Sequence, residues 1–83
     1  MLYRILTEDK NRKQVEDIIR AKFPGFTLYQ AEGHWRLQRE QTLIIEIETD
    51  LDEPIMSVAR DIKLANQQEA VLVQRIQNSA VLV

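Results

Sequence analysis

Leu43, Ile45 and Ile47 alternate with Ile44, Glu46 and Glu48. A period of two over such a run requires an extended strand with one apolar face and one mixed face. Just ahead of it, Phe26 to Leu37 is a second strand-like run that carries Phe26, Tyr29 and Trp35. The whole stretch from Phe26 to Thr49 therefore reads as a hairpin on which the remaining segments pack. Along the first arm Thr27, Tyr29, Ala31, Gly33, Trp35 and Leu37 share one face, and Phe26 and Leu28 share the other with Gln30, Glu32, His34 and Arg36. Neither face is apolar throughout, so a bulge at Gly33 is expected to switch the faces and turn Trp35 to a new side. Gln38 to Gln41 contains neither Gly nor Asn. The expected connection is thus a loop of about four or five residues in place of a tight primed turn.

Leu2 to Thr7 suits a short first strand. Thr7 or Asp9 can cap a helix in which Val15, Ile18, Ile19 and Phe23 form one apolar stripe, and Pro24-Gly25 ends it. Arg12 with Glu16, Lys13 with Asp17 and Glu16 with Arg20 stand at the spacing of surface ion pairs. Asp50, Asp52 and Glu53 lead into Pro54 and complement the positive end of a second helix, whose Ile55, Val58, Ala59, Ile62 and Ala65 repeat at helical spacing before it fades at Asn66 to Gln68. A strand from Glu69 to about Ile76 follows, then an Asn78-Ser79 turn and a short apolar strand, Ala80 to Val83. The expected class is α+β: a ferredoxin-like βαββαβ sandwich spanning residues 1–83 as a single domain. It has one antiparallel sheet, two helices on one face and a short extra C-terminal strand.

A chain of 83 residues supports one core. A domain of that size buries only about 60% of the surface its unfolded chain exposes, so added area from a partner subunit is expected. The charge of -2 gives no general attraction to phosphate backbones or anionic lipid, so neither nucleic acid nor membrane is an expected partner. Without cysteine there is no disulfide framework and no thiolate metal site. The first residues turn polar too early for a signal peptide or a membrane span, which points to a cytoplasmic location.

The run FTLYQAEGHWR, with Gly33, Trp35 and Arg36 in a Gly-x-Trp-Arg element, is followed by Arg39-Glu40 and an aliphatic strand. Glu69, Val71 and Leu72 then open a closing strand before Ala80 to Val83. In these features the chain resembles an uncharacterised family of small bacterial ferredoxin-like proteins, a domain of unknown function. Members of that family often carry an export segment and a longer start. The resemblance implies the fold and brings no activity with it.

His34 is the only histidine. Its ordinary reading is a strand histidine beside a partly buried tryptophan; the sharper one is a pocket lined by Trp35, Tyr29 and His34 in a small dimeric mono-oxygenase- or isomerase-like enzyme. Glu46, Glu48 and Asp50 could offer carboxylates to a hard cation, but without a glycine-containing acidic loop no metal site is expected. Arg36, Arg39 and the Lys10 to Lys13 cluster are the basic concentrations, and they read as solvated surface. The expectation is a non-enzymatic protein without a cofactor.

Apolar side chains on the sheet face away from the helices are the more specific signal. Tyr29, Trp35, Ile44, Leu72 and Ile76, with Val81 and Val83 at the edge, form an expected interaction surface, and His34 and Arg36 a candidate polar site. The reading that follows is a homo-oligomeric interaction module, preferentially a dimer, that joins through its open sheet face or edge strand and has a larger heterologous protein as a further target. A metabolite-binding regulatory domain at a dimer interface is the alternative outside enzymes.

Overall fold

The computed structural model describes residues 1–77. The final strand expected at residues 80–83, and with it Val81 and Val83, lies outside them. In chain order the elements are β1 (Leu2–Glu8), α1 (Arg12–Arg20), β2 (Thr27–Trp35), β3 (Gln38–Glu48), α2 (Asp52–Asn66) and β4 (Leu72–Ile76). This is the βαββαβ order of a ferredoxin-like α+β fold. The four strands form one sheet in the order β2-β3-β1-β4, with every neighbouring pair antiparallel.

Alternation along the strands sorts the core. Tyr3 and Ile5 of β1 and Leu43, Ile45 and Ile47 of β3 point to one side, where they pack with Val15 and Ile19 of α1, Phe23, and Ile55, Val58 and Ile62 of α2. Each helix thus spends its apolar stripe on the same face of the sheet. Ala65, counted above in the stripe of α2, is only half-buried, whereas Asn66 is buried.

The helix starts differ from the expected capping. Thr7 is a buried strand residue and caps nothing. Asp9 accepts from the Arg12 guanidinium at 3.0 Å and from Gln30 Nε2 at 2.6 Å. Asn11 occupies the cap position of α1 in the left-handed region, φ 53°, which asparagine tolerates better than most residues. Its side chain makes no cap bond because it reaches across to Asn66 Oδ1 at 3.1 Å. Asn66 also donates to Thr7 Oγ1 (3.3 Å) and to Gln68 Oε1 (2.9 Å), and Thr7 donates to Gln68 in turn. This polar clasp joins the end of β1, the start of α1 and the end of α2. Arg12 turns to Asp9, so of the three expected helix pairs only Lys13–Asp17 and Arg20–Glu16 form. β4 starts at Leu72, later than the expected Glu69, after Gln67 (φ 55°) has closed α2 and Gln68 Nε2 has bonded the Ala70 carbonyl at 3.1 Å.

The hairpin corrects two expectations. β2 and β3 pair without interruption from Thr27↔Glu46 to Trp35↔Gln38, so Gly33 makes no bulge. The glycine has a different reason: a Cβ there would run into the Thr42 hydroxyl. The connection is also shorter than expected, because Gln38 to Gln41 are strand and the turn is Arg36-Leu37 alone, with φ of 49° and 66°. Positive φ at both central residues is the geometry that matches strand twist in a two-residue hairpin, and it ordinarily selects Asn-Gly. Arginine and leucine hold it at a cost of about 1–2 kcal/mol each. Replacing Arg36-Leu37 by Asn-Gly is therefore expected to raise stability by about 1–2 kcal/mol, read as a higher urea midpoint at unchanged slope. A fall in the midpoint would contradict this account of the turn.

Candidate functional site

With no bulge, both aromatic residues of β2 face away from the helices. Register then draws a row straight across the sheet: Tyr29 beside Ile44, Ile44 beside Leu6, and Leu6 beside Leu72. All four strands contribute one apolar side chain. On one side of this row Arg4 and Glu46 stand opposite each other, with Arg4 donating to Glu46 Oε2 at 2.7 and 2.9 Å. The hydrogen bond to Glu46, with a smaller contribution from the Tyr29 hydroxyl, holds the Arg4 guanidinium above its ordinary pKa. Beyond that ion pair Leu2 and Ile76 form a second apolar pair. On the other side, toward the hairpin tip, the face narrows to Ala31, Thr42, Gly33 and Glu40 and ends at Trp35.

Trp35 is 64% exposed, and Leu37 at the turn is fully exposed. The Arg36 guanidinium lies 5.4 Å from the centroid of the Trp35 ring, within cation–π range. Tyr29 and Leu72 are also exposed, whereas Ile44 and Ile76 are half-buried by their neighbours in the sheet. Among the described residues nothing packs over this face. Leu6 and Leu2 belong to the same surface and were absent from the expected set. Their signal was the period of β1 itself, in which Tyr3, Ile5 and Thr7 alternate with Leu2, Arg4 and Leu6.

His34 lies on the opposite side of the hairpin from Trp35 and Tyr29. It is exposed and pairs with Glu32 at 2.9 Å, and Glu32 is also 3.6 Å from Arg39. The three side chains suggested for a pocket thus do not line one, and His34 and Arg36 do not form a joint polar site. Glu46 is taken by Arg4, while Glu48 and Asp50 both face the α-ammonium group of Met1, at 2.9 and 3.5 Å, which is held above its usual pKa chiefly by its hydrogen bond to Glu48. The carboxylates considered for a cation are therefore each turned to a positive group of the chain itself.

The comparison with known proteins rests on this fold. Among solved structures the chain is similar to a DUF3240 family protein from Shewanella baltica OS155, with a TM-score of 0.69 and 14% sequence identity over 99% of this chain and 94% of that one. The two share a fold. The neighbour's family is one of unknown function, in keeping with the uncharacterised family expected above. In all, 46 chains of solved structures match, and an architecture so widely used carries no activity with it. No protein-family profile and no curated protein sequence matches the chain. None of the described helices is long and apolar enough to cross a membrane.

Proposed function

We propose that the protein is a non-enzymatic interaction module that self-associates through its open sheet face, as a homodimer in the cytoplasm, with a larger protein as a further target. The observation that supports this reading is the apolar row Tyr29–Ile44–Leu6–Leu72, which spans the sheet on the face the helices leave uncovered. Antiparallel sheets tolerate one wet face when that face is polar, and a continuous apolar row is what a partner surface supplies cover for. The small core points the same way, since a second subunit adds buried area to a domain that has little of its own. The Gly33-His34-Trp35-Arg36 element then belongs to the surface, as the end of β2 and the first turn residue of an exposed hairpin, and is the feature by which small bacterial relatives would be recognised.

The test is the solution mass of the protein over a hundredfold dilution series. A mass above that of one chain, falling on dilution, is the expected result. Ile44→Glu should shift that transition at least tenfold toward higher concentration, because a desolvated carboxylate in the row opposes association. A single-chain mass at every concentration would refute the reading.

A further inference from the structure

Among the described residues β2 is an edge strand, with β3 on one side and no strand on the other. A turn of two residues closes on a hydrogen-bonded pair, here Trp35 with Gln38, and such pairs alternate along an antiparallel ladder. The odd-numbered residues of β2 therefore spend their backbone groups on β3, while Leu28, Gln30, Glu32 and His34 turn theirs outward. Among the described residues no backbone hydrogen bond reaches those outward groups, and Gln30, Glu32 and His34 are exposed. The devices that ordinarily blunt such an edge are missing: β2 is nine residues long, contains neither lysine nor proline, and runs without a bulge. The ladder of β1 with β3 ends at Glu8 and Thr42, so the outer half of the hairpin is a ribbon of two strands. Two strands alone are marginal in water, and a third is what such a ribbon lacks.

We infer that the β2 strands of two copies pair edge to edge and antiparallel, with Ala31 on the twofold axis and Thr27 opposite the partner's Trp35. This register pairs the whole of β2 with itself, and it sets outward groups against outward groups, for about eight backbone hydrogen bonds. It lays the ribbon half of each strand, Glu32 to Trp35, beside the half that the partner's sheet supports. Each copy thus supplies the third strand that the other lacks. Other registers differ by steps of two residues, because outward groups must still meet. A step toward the hairpin tip would set Glu32 against its own copy, and like charges directly opposite are unfavourable. A step the other way carries His34 and Trp35 past the start of the partner's β2. In the favoured register Gln30 faces Glu32, and the two four-stranded sheets become one. Both open faces stay bare on the same side of it. The edge is therefore a separate surface, which goes beyond the association proposed above and adds to it.

Amide hydrogen exchange, followed by NMR over the same dilution series as the solution mass, separates the edge from the face. Covering the open face supplies no acceptor to an outward amide. The expected result is exchange at least tenfold slower at Leu28, Gln30, Glu32 and His34 in the concentrated protein, with the gain lost as the mass falls. Glu32→Pro removes one outward N–H and leaves the bonds to β3 in place. It should abolish the added protection at Gln30 and His34, while Tyr29, Ala31 and Gly33 stay protected in a folded hairpin. Gln30→Lys combined with Glu32→Lys sets lysine opposite lysine and should act alike through charge alone. The chain has no cysteine, so Ala31→Cys reads the register. Residues of a non-hydrogen-bonded pair face each other at about 4.5 Å between Cα atoms, and a disulfide is expected to close across the axis unless Glu32→Pro is present. Rising mass without added protection at the outward amides would overturn the edge pairing and leave open-face association standing. So would protection that survives both edge variants. Protection without the Ala31→Cys disulfide would overturn the register. A single-chain mass throughout would overturn both associations.

Discussion

Replacing Ile45 by alanine is expected to remove a large share of the protein's stability, about 2–5 kcal/mol. Ile45 lies at the centre of the sheet, between Leu28 of β2 and Ile5 of β1, and is fully buried under the helices. Truncating such a side chain removes its transfer energy and leaves a cavity, together about 2–5 kcal/mol. A domain of this length has roughly 4–12 kcal/mol in all, at about 0.05–0.15 kcal/mol per residue. The melting temperature should drop by at least about 10 °C. Ile44→Ala is the control, because it alters the next residue on the same strand but the opposite face, and its cost should stay under about 1 kcal/mol in the isolated chain. Equal losses from the two variants would mean that the faces of β3 are assigned wrongly.

Asn66→Leu should be nearly as damaging, by about 2–4 kcal/mol, although leucine preserves the volume. The asparagine amide donates to Thr7 and Gln68 and accepts from Asn11, in a position that is almost wholly buried. Leucine would take the donor away from the buried Thr7 hydroxyl and the shared partner from the more exposed Asn11 and Gln68, and an unsatisfied buried polar group costs about 1–3 kcal/mol. Pairing it with Thr7→Val should restore part of the loss, since removing both members of a buried hydrogen bond is cheaper than removing one. Urea melts of the two single variants and the double variant give the coupling directly. Strict additivity would show that Thr7 and Asn66 do not act as a unit.

These two sites mark what the sequence made legible and what it hid. Ile45 announced itself by period, as did Val15 with Ile19 and Ile55 with Val58 and Ile62, because burial of one face leaves its spacing in the chain. The element order followed from that spacing. The clasp left no such trace: Thr7, Asn11, Asn66 and Gln68 are ordinary polar residues whose meaning depends on contacts between distant parts of the chain. Asn11 was passed over for Thr7 and Asp9 because local capping rules do not see a side chain drawn to another helix. The turn failed for a related reason. Arg36-Leu37 lacks the residue types that announce positive φ, and only the uninterrupted register of β2 with β3 reveals it. That register also settled where Trp35 points, on which the candidate surface depended, while His34 was separated from it by the same alternation.

The sheet order has a consequence for the making of the protein. β1 precedes the other three strands in the chain yet sits between β3 and β4, with Leu6 paired to Ile44 on one side and to Leu72 on the other. Neither edge of β1 can be covered until β3 has left the ribosome, and its second edge waits for β4, so its LYRILTE segment stays open to strand pairing while the intervening elements are made. The α2-to-β4 segment brings the last partner, and closing so long a loop is slow. Arg4 and Glu8 interrupt the apolar character of that waiting strand, which makes them gatekeepers of the nascent chain as well as members of the finished face.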